Sequence, residues 1–447
     1  MQVTYLSSAA IVVETADASV LCDPWLVDGA FEGSWCHYPP LDVEPEEFDG
    51  VDYIYISHIH PDHFDPATLR RMDTDIPVLI HDYRWDYLKN EIEALGFEVI
   101  ELDHNSRMHL TGDVHVNILA ADACDPEVCG NYFGCSWVEG NPELGSTQVD
   151  SMAVFDDGEY TVVNMNDCPY PMVERSMRQV KGRYGDIDLV CHQYSAAQFY
   201  PQCMEDYSHE EKLQARRDVI LEKHELATEF IDLFDPEYYM PFAGEYVLAG
   251  RLAPLNQYTA NPPRIEALEW FEANVPDDHQ CVFLNSGEHL DLSEGTVSKP
   301  YEPVDQEAKS EYIENELSTR RFAYEHDPMP DVDELHALIE PAFQKFEEKR
   351  RTLGYETATT ALIGIAPEQY VELSFTGDGY DFVDDPDLSS YDGYVKFELD
   401  PRLLARLLSG PDAVHWADAK IGSHLGISKQ PDIYERQLYN CLGSFHA

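Results

Sequence analysis

One short segment constrains this chain more than any other. An apolar run at Val51–Ile56, predicted to be a buried strand, is followed directly by His58, His60, Asp62 and His63. Residues i and i+2 of an extended strand point to the same side, so the first two histidines can bind one metal ion together. A proline then turns the chain and brings the aspartate and the third histidine back toward the pair. Because imidazole and carboxylate bind Zn²⁺, or Fe and Mn at similar sites, the segment predicts a metal site.

This His-x-His-x-Asp-His pattern resembles the signature of the metallo-β-lactamase superfamily and matches it in full. The resemblance implies an α+β fold, a four-layer αβ/βα sandwich, with two divalent metal ions along one edge. It implies that His58, His60, Asp62 and His63 bind metal, and in a hydrolase Asp62 would also be the catalytic base that orients water. A bridging carboxylate is expected after a later strand, where this sequence has Asp167.

Two histidines that this superfamily usually supplies are missing from the expected places. Near the first place the nearest substitute is Asp122, and near the second it is Glu245, with His192 as a further candidate ligand. Each has an alternative interpretation: a solvated acid for the two carboxylates, and a hydrogen-bonded core residue for the histidine. A site richer in carboxylates would favour Fe or Mn over Zn, because hard oxygen ligands suit those ions better.

A narrower resemblance covers nearly the whole chain. The segments that carry it are Cys22-Asp23-Pro24-Trp25-Leu26, Gly33-Ser34-Trp35, Tyr38-Pro39-Pro40, Asn166-Asp167-Cys168, Pro241-Phe242-Ala243-Gly244, Gly287-Glu288-His289-Leu290-Asp291-Leu292, Tyr394-Val395-Lys396-Phe397-Glu398-Leu399-Asp400 and Gln430-Pro431-Asp432-Ile433-Tyr434. They are similar to the CMP-N-acetylneuraminate hydroxylase family, which oxidises an N-acetyl to an N-glycolyl group and pairs such a region with an N-terminal Rieske iron–sulfur domain. A Rieske centre needs Cys-x-His and Cys-x-x-His pairs, and no cysteine here has histidine at either spacing. The resemblance therefore implies a separate redox partner protein, or different chemistry.

Composition and periodicity divide the chain into three parts. Residues 1–300 mix strands and helices and are predicted to form the metal-binding sandwich. Residues 301–353 are predicted to be a helical connector with two charged amphipathic helices, at about Asp305–Tyr324 and Val332–Arg351. Residues 354–447 return to strand-like runs and predict a smaller C-terminal α+β domain. That domain loosely resembles sterol-carrier domains, a family whose members bind apolar ligands.

The chain carries 85 acidic and 29 basic residues, a formal net charge of −56. Nucleic acid and anionic membrane surfaces are not expected partners, since binding to either depends on Lys and Arg. The acidic residues recur in every region, which is typical of a halophilic protein whose acidic surface is screened by a salt-rich cytoplasm. The sequence has neither an 18-residue apolar run nor a recognisable signal peptide, so a cytoplasmic location with reduced cysteines is expected.

Three functions are compatible with these features, with hydrolysis ranked first on the strength of the motif and hydroxylation close behind it. The histidine motif favours a metal-dependent hydrolase of a small-molecule substrate, in which two metal ions lower the pKa of a bridging water. The resemblance along the whole chain favours an iron-dependent hydroxylase that acts on an N-acetyl sugar or nucleotide sugar and takes electrons from an external Rieske protein or ferredoxin. The two missing histidines favour a non-catalytic protein that binds a ligand on a degenerate scaffold.

Overall fold

The computed structural model describes residues 1–83, 85–120, 150–411 and 413–447. Its strands, in chain order, are β1 Gln2–Ser7, β2 Ala10–Glu14, β3 Ser19–Cys22, β4 Trp35–Cys36, β5 Tyr53–Tyr55, β6 Val78–His81, β7 Val99–Leu102, β8 Ser106–Thr111, β9 Val114–Ala120, β10 Ser151–Asp156, β11 Thr161–Asn164, β12 Leu189–Gln193, β13 Tyr238–Phe242, β14 Val247–Leu248, β15 Gln280–Cys281, β16 His289–Asp291, β17 Thr296–Val297, β18 Thr359–Ala366, β19 Gln369–Leu373, β20 Tyr380–Asp384, β21 Gly393–Glu398 and β22 Gly426–Gln430. Its α-helices are α1 Pro66–Leu69, α2 Tyr87–Ala94, α3 Tyr170–Tyr184, α4 His209–Phe234, α5 Arg264–Asn274, α6 Gln306–Asn315, α7 Val332–Leu353, α8 Pro401–Ser409, α9 Trp416–Ile421 and α10 Arg436–Leu442. Short 3₁₀ helices lie at Pro45–Phe48, Gly250–Tyr258, Leu317–Thr319, Ala323–His326 and Leu388–Ser390.

Two sheets form the centre of the N-terminal region. The first has the strand order β17-β16-β1-β2-β3-β5-β6-β7, and the second has the order β15-β13-β12-β11-β10-β9-β8. In the first sheet β3, β5, β6 and β7 pair in parallel, so their carboxyl ends meet at one edge. In the second sheet β10 pairs antiparallel with β11, which places the start of β10 beside the end of β11.

Apolar side chains fill three layers around these sheets. Tyr5, Val116 and Phe155 belong to the core between the two sheets. The outer face of the first sheet packs on α1 and α2, and the outer face of the second packs on α3 and α4, through the buried residues Ile54, Leu69, Ile92, Val154, Val163, Met172 and Phe230. The order is therefore helix, sheet, sheet, helix. This confirms the predicted αβ/βα sandwich.

The C-terminal region forms a third sheet, in the order β20-β19-β18-β21-β22. Its helices α7, α8 and α10 cover the sheet, and buried residues such as Phe346, Ile363 and Leu404 form the core. The same core contains Trp35 and Tyr246 of the N-terminal region, so apolar packing is continuous between the two. The strand and helix content agrees with the predicted C-terminal α+β domain. The boundaries at residues 300 and 353 and the sterol-carrier likeness stay predictions.

The first of the two predicted connector helices is shorter than the sequence indicates. Instead of reaching Tyr324, α6 ends at Asn315, and two 3₁₀ turns follow it. Leu317, in the first of these turns, is fully buried in an apolar cluster against which Tyr312 and Ile313 of α6 pack, so the chain leaves the α-helix where this side chain enters the core. The second helix, Val332–Leu353, confirms the prediction and ends at Gly354, whose φ of 61° is readily adopted only without a side chain. No described helix is long and apolar enough to cross a membrane.

Candidate metal centre

The histidine motif lies where the chain leaves β5, at the edge where the parallel strands end. Asp23, which follows the neighbouring strand β3, holds the start of this loop. Its two carboxylate oxygens accept hydrogen bonds from the backbone N–H and the hydroxyl of Ser57, each at 2.7 Å. Asp23 is fully buried and has a φ of 44°, an uncommon conformation for a residue with a side chain. The loop is therefore fixed by the end of the adjacent strand before any ligand binds.

His58, His60 and Asp150 form the first group of candidate ligands, with one ligand atom of each within 4.8 Å of the others. Nε2 of His58 lies 2.9 Å from Nδ1 of His60 and 3.5 Å from Oδ1 of Asp150. Asp150 comes directly before β10, in the second sheet, and is only 3% exposed. The group thus joins the two sheets across the mouth of the sandwich.

His63 and Asp167 form a second group, again with His58. Nε2 of His63 lies 3.6 Å from Oδ2 of Asp62 and 3.6 Å from Oδ2 of Asp167. Asp167 follows β11 after Asn166, which adopts a φ of 49° and turns the chain toward the first sheet. Because β10 and β11 pair antiparallel, Asp150 and Asp167 reach the same place from opposite ends of one hairpin.

Four buried polar atoms in these groups have no hydrogen-bond partner among the described residues: Oδ2 of Asp62, Nε2 of His63, Oδ1 of Asp150 and Oδ1 of Asp167. Buried polar atoms without partners are rare, because each costs the free energy of removing it from water. Three oxygen atoms and one ring nitrogen that converge in this way have the chemistry of a cation site. The residues present therefore fit the metal ions that the motif implies.

The pKa values in this cluster reflect its burial and its crowded charges. Burial raises the pKa of Asp62 to about 7. Burial, together with the Asp167 carboxylate, raises that of Asp150 well above its usual range. Burial and then the rings of His63 and His60 hold the pKa of His58 well below normal. Burial opposes protonation of His63 too, but the carboxylates of Asp62, Asp167 and Asp23 outweigh it and raise that pKa. Without a metal ion, a proton on His63 offsets part of the negative charge.

Asp23 also fixes the orientation of one candidate ligand. Its Oδ2 lies 2.9 Å from Nδ1 of His63, so Nε2 of the same ring faces Asp62 and Asp167. A carboxylate on the far nitrogen of a histidine is the usual support for a metal-binding ring, since it sets the tautomer and makes the other nitrogen more basic.

The structure does not bring the other sequence candidates into the cluster. His192 lies among Phe230, Tyr239 and Phe271, on the helix-covered face of the second sheet, with its ring 0% exposed. The expectation that it binds metal is not supported. Side chains alternate between the two faces of a strand, and in β12 this residue points away from the space between the sheets. The core-residue alternative describes its position: its Nδ1 lies 3.3 Å from the carbonyl of Gln193, whereas its Nε2 has no hydrogen-bond partner among the described residues.

Glu245 is likewise outside the cluster. Its carboxylate accepts hydrogen bonds from Tyr194 at 2.6 Å and Tyr5 at 3.1 Å, and it lies 2.9 Å from Nε of Arg264. These partners already neutralise and hydrogen-bond the Glu245 carboxylate. This is the physical reason that Glu245 does not join the histidine cluster. Asp122 lies outside the described residues.

Sequence reasoning did not identify Asp150. The signal that could have found it is the turn Asp156-Asp157-Gly158, which predicts a hairpin between two apolar strands. In an antiparallel hairpin the residue before the first strand lies beside the residues that follow the second strand. Asp150 would then have been expected near Asp167.

Part of the C-terminal region lies within electrostatic reach of the cluster. His60 has a pKa of about 4; burial is the largest cause, and His415 and Lys420 contribute to lowering it. Nε2 of His424 lies 2.9 Å from the carbonyl of Phe31, which anchors the segment after α9 to the N-terminal region. The C-terminal region therefore contributes charges to the surroundings of the motif.

One family model matches part of the N-terminal region. Residues 2–129 match the family model of the beta-lactamase superfamily domain, a range that includes the complete histidine motif. The resemblance to this superfamily is thus confirmed, and the stacked sheets described above are its metallo-β-lactamase fold.

Curated relatives connect the chain to two further groups of proteins. It is 35% identical over 207 residues to a candidate Rieske 2Fe-2S iron–sulfur protein of Mycolicibacterium smegmatis, covering 45% of this chain and 35% of that protein. It is 23% identical over 266 residues to the cytidine monophosphate-N-acetylneuraminic acid hydroxylase of Cricetulus griseus, covering 55% of this chain and 40% of that protein. The chain therefore spans less than half the length of these two relatives. Among solved structures, an isothiocyanate hydrolase from Delia radicum gut bacteria is similar at 16% identity and a TM-score of 0.44, covering 65% of this chain and 99% of that one.

Proposed function

We propose that this protein is an enzyme that binds two metal ions between the ends of its two sheets. His58, His60 and Asp150 would hold one ion, and Asp62, His63 and Asp167 the other. The geometry that supports this assignment is the convergence of these side chains, with four buried ligand-type atoms that have no partner among the described residues. The same orphaned atoms argue against the non-catalytic scaffold, which has no reason to retain buried charge of this kind.

We further propose that the ions are iron and that the reaction is a hydroxylation. The observation that carries this proposal is the composition of the cluster: three histidines with Asp150 and Asp167, and with Asp62 at 3.6 Å from Nε2 of His63, so that a carboxylate stands at Asp150 rather than a third imidazole beside His58 and His60. Oxygen ligands favour Fe or Mn over Zn. When bound, a pair of iron ions at such a site can activate dioxygen.

The substrate and the electron source are proposed from the relatives. One is a hydroxylase of a cytidine monophosphate sugar acid, and another is named for a Rieske cluster. We therefore propose an N-acetyl sugar or nucleotide sugar as substrate and a separate iron–sulfur protein as donor. The balanced reaction inserts one oxygen atom of O₂ into a C–H bond and reduces the other to water, with two electrons and two protons from outside the chain.

Residues of this chain have separate tasks in that proposal. Asp23 holds Nδ1 of His63 and the backbone of Ser57, and so keeps the motif in place. The half-buried Lys223, whose Nζ lies 3.4 Å from Oε1 of Gln193, contributes to lowering the pKa of Asp167. Its positive charge would attract an anionic substrate to the mouth of the site. Burial of His58, Asp62 and His63 keeps bulk water away from these candidate ligands.

An isotope experiment tests the reaction type. The iron-loaded protein with a chemical or ferredoxin reductant is given CMP-N-acetylneuraminate under ¹⁸O₂. We expect a product heavier by one ¹⁸O atom, and no such product from the His58→Ala/His60→Ala double variant. Label that enters only from H₂¹⁸O, or no dioxygen consumption with any N-acetyl nucleotide sugar, would contradict the hydroxylase proposal.

Hydrolysis is the second candidate function. The complete His-x-His-x-Asp-His motif favours it, because this ligand spacing is the one that the superfamily resemblance associates with water activation. The isotope experiment also decides this alternative, since a hydrolase would incorporate oxygen from water and need no reductant.

A further inference from the structure

A second concave site lies in the N-terminal region, and its lining contains none of the six side chains proposed to bind metal. The cavity measures about 250 Å³, roughly the volume of eight water molecules. Residues 5–7 at the end of β1, the segment 37–41, residues 245–247 after β13, the segment 261–264 and part of α6 line it. A cavity of this size takes a small group or one end of a larger ligand.

Arg264 provides a buried cation in this cavity. Its side chain is only 9% exposed, and the guanidinium carbon lies 4.5 Å from the ring centre of Tyr5 and 5.0 Å from that of Phe283. Nη1 donates a hydrogen bond of 2.7 Å to the carbonyl of Leu284, whereas the buried Nη2 has no partner among the described residues. An arginine held this rigidly with one free nitrogen is prepared to donate to an oxygen atom from outside.

Lys309, on α6, provides a second cation. Its side chain is half-buried, and among the described residues no carboxylate lies within ion-pair distance of its Nζ. Burial lowers its pKa, and the Glu245 carboxylate opposes only part of that shift. A half-buried ammonium group without a counter-ion is costly, and an anion in the cavity would remove that cost.

The charge of the cavity contrasts with the charge of the molecule. Glu245 is the acidic residue in its lining, and Tyr5, Tyr194 and Arg264 already hold that carboxylate. One positive charge remains, from Lys309. In a chain of net charge −56, a lining with an excess of positive charge marks a site that selects anions.

We propose that this cavity binds one oxyanion, the carboxylate or phosphate group of a small ligand, with Nη2 of Arg264 and Nζ of Lys309 as its donors. The proposal concerns residues that take no part in holding metal, so it stands or falls independently of the proposed hydroxylase activity. Carboxylate and phosphate share the oxygen atoms that these donors recognise, and the test below separates them.

Calorimetric titration of the full chain with sodium phosphate, and separately with sodium acetate, at constant ionic strength tests the proposal. We expect one anion per chain to bind, with at least tenfold weaker affinity in Lys309→Met. Lys89→Met is the matched control, because Lys89 on α2 pairs with Glu101 away from the cavity and its loss changes the net charge equally. Binding of phosphate alone assigns a phosphate ligand, binding of acetate alone a carboxylate, and binding of both the shared chemistry.

Two further variants keep the test decisive. Arg264→Lys, with its fold checked by circular dichroism, is expected to weaken binding as Lys309→Met does. In the His58→Ala/His60→Ala variant we expect the anion affinity to be unchanged. Absence of binding by either anion, unchanged affinity in Lys309→Met, or loss of binding with the two histidines would each overturn the proposal.

Discussion

At the scale of single residues, Asp150 has the largest consequence for the chemistry. It is a buried carboxylate with an orphaned oxygen and a raised pKa, in contact with the ring of His58. Such a group destabilises a protein unless a cation or a proton neutralises it. Its presence gives the proposed metal site equal numbers of histidine and aspartate side chains.

The first prediction concerns the metal-free protein. Replacing Asp150 by Asn keeps the shape of the side chain and removes its buried charge. In the presence of a chelator we expect Asp150→Asn to raise the free energy of unfolding at pH 8 by about 1–3 kcal/mol, as measured by denaturant titration. Asp17→Asn, at an exposed position, serves as the control. If metal-free Asp150→Asn were less stable than the wild type, the Asp150 carboxylate would stabilise the metal-free fold, contrary to this prediction.

Residue identity alone could predict four of the six clustered side chains, because His58, His60, Asp62 and His63 are adjacent in sequence. Asp167 was predicted as a ligand only through the resemblance to the superfamily. Asp150 could not be found by adjacency, because pairing of β10 with β11 brings it to the site. Glu245 and His192 were misplaced for a related reason. An arginine and two tyrosines surround Glu245, and three aromatic rings surround His192. In both cases these neighbours are distant in sequence.

At the scale of secondary structure elements, the alternation of side chains along β12 determines which of its residues can reach the metal site. Cys191 faces the core between the sheets, and His192 therefore faces the helices, where burial lowers its pKa to about 4. An unfolded histidine titrates near 6.5, so below that pH the unfolded chain binds a proton that the native chain does not. Stability from this residue is complete above the unfolded pKa and is lost as the pH falls toward the folded one.

The second prediction follows from that difference. His192→Phe removes the titrating group but keeps an aromatic ring in the pocket. Relative to its value at pH 7.5, the free energy of unfolding at pH 5 should fall by about 2 kcal/mol less in His192→Phe than in the wild type. The exposed His209→Phe is the control, with a wild-type pH dependence. An identical pH dependence in His192→Phe would refute the placement of this ring.

The elements of the sandwich were largely predictable, because their apolar periodicity is strong and turns separate them. The sequence placed α4 from about Ser208, and the structure begins it at His209, with the Ser208 hydroxyl accepting from the N–H of Glu211. The predicted end of the first connector helix, at about Tyr324, was wrong, because α6 ends at Asn315. Apolar periodicity there indicates a helical tendency, but burial of Leu317 in a 3₁₀ turn ends the α-helix.

At the scale of the whole molecule, the charge of −56 sets the conditions for folding. Acidic side chains greatly outnumber basic ones, so negative charges repel one another in the folded chain, and salt screens this repulsion. The screening length falls from about 10 Å at 0.1 M salt to about 3 Å at 1 M. We therefore propose that the acidic surface is an adaptation to high salt.

The third prediction is a salt dependence of stability. The midpoint of thermal unfolding should rise steadily from 0.1 M to 1 M KCl and then level off. Sucrose at matched osmolality is the control for general solvent effects. A midpoint that is flat or falls over this range would show that the charge excess is not limiting and would remove the halophilic interpretation.

Elemental analysis of the purified full chain, beside the His58→Ala/His60→Ala and Asp150→Asn variants, tests the proposed di-iron centre directly. We expect two iron ions per wild-type chain, fewer in Asp150→Asn and fewer still in the double variant. Two zinc ions would contradict the hydroxylase proposal, and a chain that binds no stoichiometric transition metal would contradict the metal centre itself.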